Sequence, residues 1–193
     1  MQNTIISSLL TGQPLKRFRK TWPEQCVVQH GNPNRLPDIF LTPILQSIKT
    51  LTDAYMGITM EADRRVDSDM TVVDISATKV IDKGKTAYLG DIATLLPESK
   101  QFLHCLEKEL GIPQGSARIG AFISPAGNGA PCHFDAEDVI SIQITGQKRF
   151  YTAPVKQIKF PYGIQYNPHT VPADDLYPQM IKGTTWCLFT ISK

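Results

Sequence analysis

Residues 118–150 read RIGAFISPAGNGAPCHFDAEDVISIQITGQKRF, and this stretch decides the fold class. Short apolar runs alternate in it with turn residues, a pattern typical of β-strands joined by tight connections. Residues 139–144 place three isoleucines on one face of an extended chain, which predicts a half-buried strand. The turn at 145–147, which contains Gly146, then leads into residues 148–152. We therefore expect an antiparallel hairpin here.

The residues that precede this stretch predict helices. Residues 98–110 carry four apolar side chains near helical spacing, with Pro97 before them and Gly111 after them, as is typical of the start and end of a helix. We expect this apolar stripe to be core and to pack on a sheet. A second helix is predicted at 44–56, after Pro43. A helical first half followed by short strands indicates an α+β chain that is mainly β, with a sandwich or barrel in its second half.

The composition is that of a globular protein with a buried core. The chain has 193 residues, of which 41% are hydrophobic and 20% are charged. Such values argue against a disordered chain, and the lack of long apolar runs argues against a membrane protein. The first residues, MQNTII, lack the charged segment and apolar stretch of a secretory signal. We therefore expect a cytoplasmic protein with no membrane partner.

The cysteines are widely spaced along the chain. Zinc ribbons and redox motifs need a closely spaced Cys-x-x-Cys pair, and the sequence contains none. We therefore expect reduced thiols at all four positions, which are Cys26, Cys105, Cys132 and Cys187.

The overall charge is close to balance, with 20 basic and 18 acidic residues and a net charge of +2. A chain with this balance lacks the overall positive charge that is typical of nucleic-acid-binding proteins, so a nucleic-acid partner is not expected. The one dense basic run is KRFRK at residues 16–20. A run of this kind favours a solvated surface segment, with contact to phosphate or RNA as the alternative.

His133 and Asp135 form the pattern that points to chemistry. Because they are two residues apart, an extended chain directs both side chains to one face, where an imidazole nitrogen and a carboxylate oxygen can bind one metal ion. A third ligand would complete the two-histidine, one-carboxylate triad of non-haem Fe(II) oxygenases. A lone His-x-Asp is more often a surface pair. Lys148 adds context, because the predicted hairpin can bring its ammonium group toward the same cavity to pair with a dicarboxylate.

Several short motifs together resemble a known family, the cupin-type JmjC oxygenases, and in particular its branch of ribosomal-protein hydroxylases. The resemblance covers residues 20–193 and is dense only between 118 and 150. The matching positions are Ile123-Ser124-Pro125-Ala126-Gly127, His133-Phe134-Asp135, Asp138-Val139, Gln143, Gly146 and Lys148, with Trp22-Pro23-Glu24, Cys26-Val27-Val28 and Gly111-Ile112-Pro113 upstream.

This resemblance implies a double-stranded β-helix, or jelly roll, over residues 21–193, with residues 1–20 as an N-terminal extension. It implies Fe(II) as the metal, 2-oxoglutarate as co-substrate and a protein or peptide side chain as substrate. His133 and Asp135 match the metal ligands at the catalytic centre. Lys148 matches the lysine that anchors the distal carboxylate of 2-oxoglutarate.

The sequence departs from the family pattern at two places. The family's third metal ligand is a later histidine, and the matching position falls at or just past Lys193, so either the chain is truncated or another group fills the place. His169 is the one histidine downstream of the motif and a weak candidate. Gly120 stands near the position where relatives often carry an asparagine close to the co-substrate. A missing C-terminal strand would leave sheet edges open, which makes a homodimer a reasonable hypothesis.

Two alternatives to a protein hydroxylase stay open. The first is a degenerate jelly roll that lacks the third metal ligand and acts as a binding or scaffold protein. The second is a small-molecule cupin that holds a different divalent metal without 2-oxoglutarate. The residues do not choose a substrate, because one fold hosts many functions.

Overall fold

The computed structural model describes residues 4–22, 24–31, 33–63, 70–129 and 138–150. These residues contain six α-helices and four β-strands, and the strands form one antiparallel sheet. The α+β class is therefore confirmed. None of the helices in the described ranges is long and apolar enough to cross a membrane.

The chain divides into two compact units. We call the described residues up to Leu36, together with 138–150, the terminal unit, and those from Pro37 to Gly129 the central unit. The predicted division after residue 20 is not tested by this clustering and stays a prediction.

Two helices open the terminal unit. Helix α1 (Ile5–Leu9) begins with a capping box, in which the Thr4 hydroxyl accepts from the backbone N–H of Ser7 and the Ser7 hydroxyl accepts from that of Thr4. Helix α2 (Gly12–Thr21) follows. Between them Leu10 is fully buried. Capping satisfies N–H groups that a short helix would otherwise leave unbonded, which helps five residues to hold a helical turn.

The helix predicted at 44–56 is two shorter helices, so the prediction of one continuous helix is wrong. Helix α3 is Pro43–Gln46 and helix α4 is Ile48–Ala54. Ser47 separates them in an extended conformation (φ −131°, ψ 114°), and its hydroxyl accepts from the Thr50 N–H. Serine favours this capping role over a place inside a helix, because its hydroxyl can bond to nearby backbone N–H groups.

The central sheet has the strand order β2-β1-β3-β4. Strands β1 (Thr59–Ala62), β2 (Thr71–Val73) and β3 (Thr86–Leu89) lie in the half of the chain where helices were predicted, and β4 (Ala121–Ile123) lies in the predicted strand run. Helix α5 (Ala77–Asp82) packs against β3 and β1.

The two sides of this sheet differ in burial. On one face Leu89 and Ala87 are fully buried, and Ile123 is buried beside Ala87 in the β3–β4 register. This face is the core of the central unit, with the fully buried Val80 of α5 among its other apolar residues.

Helix α6 (Ser99–Leu110) lies where the sequence predicts it and ends at Gly111, which takes the left-handed conformation at φ 70°. Its apolar stripe is half-buried, so the stripe is less deeply placed than a core stripe. One member, Phe102, meets the Phe40 ring edge-on at 5.3 Å between centroids. His104 and Cys105 beside the stripe are exposed, as expected.

Glu107 is the buried charged residue of α6, with 3% of its surface exposed. Its Oε1 accepts from the backbone N–H groups of Gly115 and Ala117, both at 2.9 Å. These bonds to Ala117 and Gly115 hold the pKa of the Glu107 carboxyl below its ordinary value, against the opposing effect of burial, with a smaller contribution from His104. The carboxylate therefore fixes the turn that leads toward β4.

Residues 138–150 contain the predicted turn but not the predicted strands. Gly146 has φ 72°, and the turn occupies the expected position. Residues 140–144 are all half-buried, without the alternation that a half-buried strand would show. A strand needs a hydrogen-bonded neighbour, and 139–144 pair with no strand among the described residues, so the hairpin prediction fails within this range.

Candidate metal and co-substrate site

The two residues of the His-x-Asp motif, His133 and Asp135, lie outside the described residues, and so does His169. Lys148 is described. In the ranges that the structure covers, no three His, Cys, Asp or Glu side chains are grouped so that they could hold a metal ion. What the structure describes is therefore the chain on either side of the motif.

Residues 124–129, which we call the approach loop, lead from β4 toward the motif. Asn128 donates from its backbone N–H to the Pro125 carbonyl at 3.1 Å, and Gly127 takes φ 80°, so the loop closes on itself as a turn. The Asn128 side-chain amide also donates to the Gly84 carbonyl just before β3. A left-handed φ costs glycine nothing, which explains glycine at the tip of this turn.

Thr86 holds both ends of the approach loop. It is the first residue of β3 and has 0% of its surface exposed. Its Oγ1 lies 3.2 Å from the Gly129 carbonyl oxygen and 3.0 Å from the Ser124 hydroxyl. A hydroxyl has one proton, so Thr86 donates to the carbonyl and accepts from Ser124. The backbone of Gly129, from which the sequence continues to the His-x-Asp motif, is therefore held in a fixed position relative to β3.

Gly120 precedes β4, and its lack of a side chain has a direct steric cause. A Cβ atom at this position would lie 2.7 Å from both Cε2 and Oη of Tyr88. The Tyr88 ring thus fills the volume that an asparagine side chain would need. Glycine at position 120 is therefore explained by Tyr88, whose hydroxyl is among the atoms nearest to it.

Tyr88 belongs to a row of apolar side chains that crosses the sheet. The strand register aligns Val72, Met60, Tyr88 and Phe122 in that order. Val72 is 65% exposed and Phe122 is 49% exposed, whereas Met60 and Tyr88 are half-buried. The Tyr88 and Phe122 rings lie 4.5 Å apart. The sheet therefore has one buried face and one partly exposed apolar face, and Gly120 borders the second.

Lys148 lies in the terminal unit beside an aromatic ring. Its Nζ is 5.3 Å from the centroid of the Phe150 ring, within the range of a cation–π interaction. The lysine is half-buried. A charged group held against a ring loses some of its rotamer freedom, so the position of the Lys148 ammonium group is partly fixed.

Asp138 and Glu24 are brought near each other in the terminal unit, although they are far apart in the sequence. Partial loss of solvent around Asp138 raises the pKa of its carboxyl, and the Glu24 carboxylate raises it further. Both residues belong to the motifs that carry the family resemblance. Their proximity was not predicted, because the spacing of two carboxylates in a sequence does not reveal a contact.

The cysteines that the structure describes agree with the expected thiols. Cys26 is a half-buried thiol and Cys105 an exposed one. Cys132 and Cys187 lie outside the described residues.

Comparison with known proteins gives one distant relative. No protein-family model matches the chain, and no solved structure is significantly similar to it. The chain is 21% identical over 170 residues to a Bacillus subtilis (strain 168) protein named "Uncharacterized protein YxbC". The match covers 82% of this chain and 51% of the relative, so the chain spans about half the length of the relative it matches. The relative's name assigns it no activity.

Proposed function

We propose that the chain is an Fe(II)- and 2-oxoglutarate-dependent oxygenase that hydroxylates a protein or peptide side chain. The observation that carries the proposal is the order of its parts along the chain. A strand, β4, is followed by the approach loop with its Thr86 anchor, then by His133 and Asp135, and then by Lys148. An imidazole, a carboxylate and a lysine in this order suit a metal ion and a dicarboxylate.

The donor types of the motif fit iron. An imidazole nitrogen and a carboxylate oxygen are two of the three ligand types in non-haem Fe(II) oxygenases, and the proposal assigns His133 and Asp135 to them. Bound iron and 2-oxoglutarate would supply the activation of oxygen, which side chains alone do not provide. The chain's own contribution is to hold the two ligands, orient the co-substrate and exclude water. His169 stays the candidate for a third ligand.

Lys148 is assigned to the distal carboxylate of 2-oxoglutarate. An ammonium group paired with a carboxylate forms a charge-assisted hydrogen bond, which is stronger than one between neutral groups. The Phe150 ring beside Nζ supports this role, because a cation–π contact favours side-chain conformations that keep the ammonium group in one place. A positioned charge costs less entropy on binding than a mobile one.

The fold proposed with this activity is a double-stranded β-helix. A jelly roll consists of two sheets packed face to face, so each sheet needs an apolar inner face. The row of Val72, Met60, Tyr88 and Phe122 supplies such a face on an antiparallel sheet. Two exposed apolar side chains in one row suit a surface that another layer covers better than a solvated surface.

A scaffold protein that has lost turnover is the second candidate. The observation that favours it is that the His133-x-Asp135 motif by itself supplies two metal ligands, whereas the iron triad needs three. Two protein ligands hold a divalent ion more weakly and with less control of geometry than three. The scaffold predicts that metal or 2-oxoglutarate binds without formation of succinate.

The experiment is anaerobic calorimetric titration of the full chain with Mn(II), an inert substitute for Fe(II), and then with 2-oxoglutarate. We expect 2-oxoglutarate to bind only when Mn(II) is present. His133→Ala should bind neither Mn(II) nor 2-oxoglutarate. His104→Ala, which removes an exposed histidine of α6, should still bind both. A well-folded chain that binds no Mn(II) would refute the proposal.

Lysine variants separate the co-substrate from the metal. Lys148→Ala should keep Mn(II) but bind 2-oxoglutarate about 10- to 150-fold more weakly, the factor expected for the loss of a hydrogen bond to a charged group. Lys100→Ala removes an exposed lysine of α6 and serves as the matched control. Equal effects of the two variants would contradict the assignment of Lys148. Succinate formation with Fe(II) and oxygen then distinguishes the enzyme from the scaffold.

A further inference from the structure

Helix α2 separates its basic and apolar side chains. Lys16, Arg19 and Lys20 occupy positions i, i+3 and i+4, so they share one side of the helix, and all three are exposed. Phe18 is buried and stacks on Trp22 with 4.8 Å between ring centroids. The helix thus turns its aromatic side toward the protein and a basic side toward solvent. We call Lys16, Arg19 and Lys20 the basic face.

The positive charge of the protein is concentrated on this helix. Residues 1–23 contain four basic residues, Lys16, Arg17, Arg19 and Lys20, and no acidic one. In the rest of the chain 18 acidic residues outnumber the other 16 basic ones. A net charge of +2 therefore conceals a positive segment on a slightly negative chain. The sequence alone favoured a solvated run, but it did not show that the charges share one side of an ordered helix.

Arg17 lies beside the basic face and helps to define its edge. Its Nη2 donates to Oε1 of Gln25 at 3.2 Å, and the Thr21 hydroxyl donates to the Arg17 carbonyl at 2.9 Å. The Gln25 contact connects the last turn of α2 to the residues that follow it, whereas the Thr21 bond lies within the helix. The Gln25 contact and the burial of Phe18 therefore fix the orientation of the helix.

We infer that the basic face of α2 binds the phosphodiester backbone of a nucleic acid. Lys16 and Lys20 stand about 6 Å apart along the helix axis, so each can neutralise a different phosphate. A helix that binds a membrane inserts an exposed apolar side, and the apolar side of α2 is already covered, with Phe18 only 6% exposed. This inference is independent of the proposed oxygenase activity.

The test is fluorescence anisotropy of the full chain with a labelled oligouridylate and with duplex DNA of the same length, over a range of NaCl concentrations. Three phosphate contacts to a single strand predict an affinity that falls about 20-fold between 50 and 200 mM salt. Lys16→Gln/Lys20→Gln leaves one contact, so its affinity should be lower at about 50 mM salt and should then fall only about threefold over this range. Comparison of the two probes distinguishes single-stranded RNA from duplex DNA as the source of the phosphates.

Lys100→Gln/Lys108→Gln removes the same charge from exposed positions of α6 and is the matched control. Lysine and glutamine have similar helix propensities, and far-UV circular dichroism checks that both variants fold. The control should bind like the unmodified chain. Equal weakening in both double variants, no binding at low salt, or tighter binding to polyglutamate or to phosphatidylserine vesicles than to either nucleic acid would each overturn the inference.

Discussion

Substitution of Gly120 by alanine should destabilise the protein through a single contact. The added Cβ would lie 2.7 Å from Tyr88 Cε2, whereas carbon atoms pack at about 3.5–4.0 Å, so the ring must move by roughly 1 Å. Tyr88 lies on β3, which is paired on both sides, so its backbone is held and the ring itself has to turn. The ring would then leave its preferred rotamer and part of its contact with Phe122.

The expected magnitude follows from these two losses. A rotamer strained by about 30° costs about 0.5–1.5 kcal/mol. The pairing of two aromatic rings contributes a similar amount, about 0.5–1.5 kcal/mol. Replacement of glycine by alanine also restricts the unfolded chain, which opposes the loss by about 0.4–1 kcal/mol. We therefore expect Gly120→Ala to lower the free energy of unfolding by roughly 1.3 kcal/mol at the middle of these ranges, which together span about 0–2.6 kcal/mol.

Urea unfolding followed by circular dichroism measures this change, and a second background tests its cause. In Tyr88→Ala the ring is gone, so Gly120→Ala should then stabilise the chain by about 0.4–1 kcal/mol. The sign of the effect should thus reverse between the two backgrounds. An equal effect of Gly120→Ala in the two backgrounds would refute the steric explanation for glycine at this position.

Three further predictions concern hydrogen bonds and charges. Thr86→Val should lower the free energy of unfolding by about 1–3 kcal/mol and speed amide hydrogen exchange in the approach loop, because the Gly129 carbonyl loses its donor. Thr86→Ser keeps the hydroxyl and should keep the loop protected. Unchanged exchange in the valine variant would contradict this role. Glu107 has a lowered pKa, so its contribution to stability is present above the unfolded value of about 4.3 and is lost as the pH falls through the folded value. In Glu107→Gln, unfolding measured between about pH 3 and 7 should lose this part of the pH dependence, and identical curves for both chains would count against it. Asp138 has a raised pKa, so its ionisation lowers the free energy of unfolding as the pH rises from the unfolded pKa of about 3.9 through the folded pKa. Glu24→Gln should lower the titration midpoint of the Asp138 carboxyl, measured by carbon-13 NMR. An unmoved midpoint would exclude the Glu24 effect.

Local signals predicted some elements well and failed for others. Helix α6 was predicted nearly to the residue, because its apolar spacing and Gly111 are both local features. Strands β1, β2 and β3 were missed. Strand β1 has only four residues, and three of them, Met60, Glu61 and Ala62, favour helices, so its pairing partners decide its conformation.

The residues of the candidate site also differ in whether the sequence alone reveals them. The spacing of His133 and Asp135 is visible in the sequence, whereas the roles of Thr86 and Tyr88 depend on which strand lies beside which. Glu107 has the character of a surface glutamate in a helix with charged neighbours. Its carboxylate instead accepts from two backbone N–H groups of the turn that follows α6, and the apolar spacing of the helix does not reveal this contact.

The hydrogen bond between Thr86 and Gly129 also imposes an order of assembly. It joins residues 43 positions apart, and a closure of that length is slow to form by itself. The β3–β4 ladder shortens the search, because pairing of Ala87 with Ile123 brings the approach loop alongside β3. The loop should therefore become fixed only after these strands have paired. During synthesis on the ribosome, β4 leaves the exit tunnel before His133 and Asp135 do, so the sheet can form before that stretch is released.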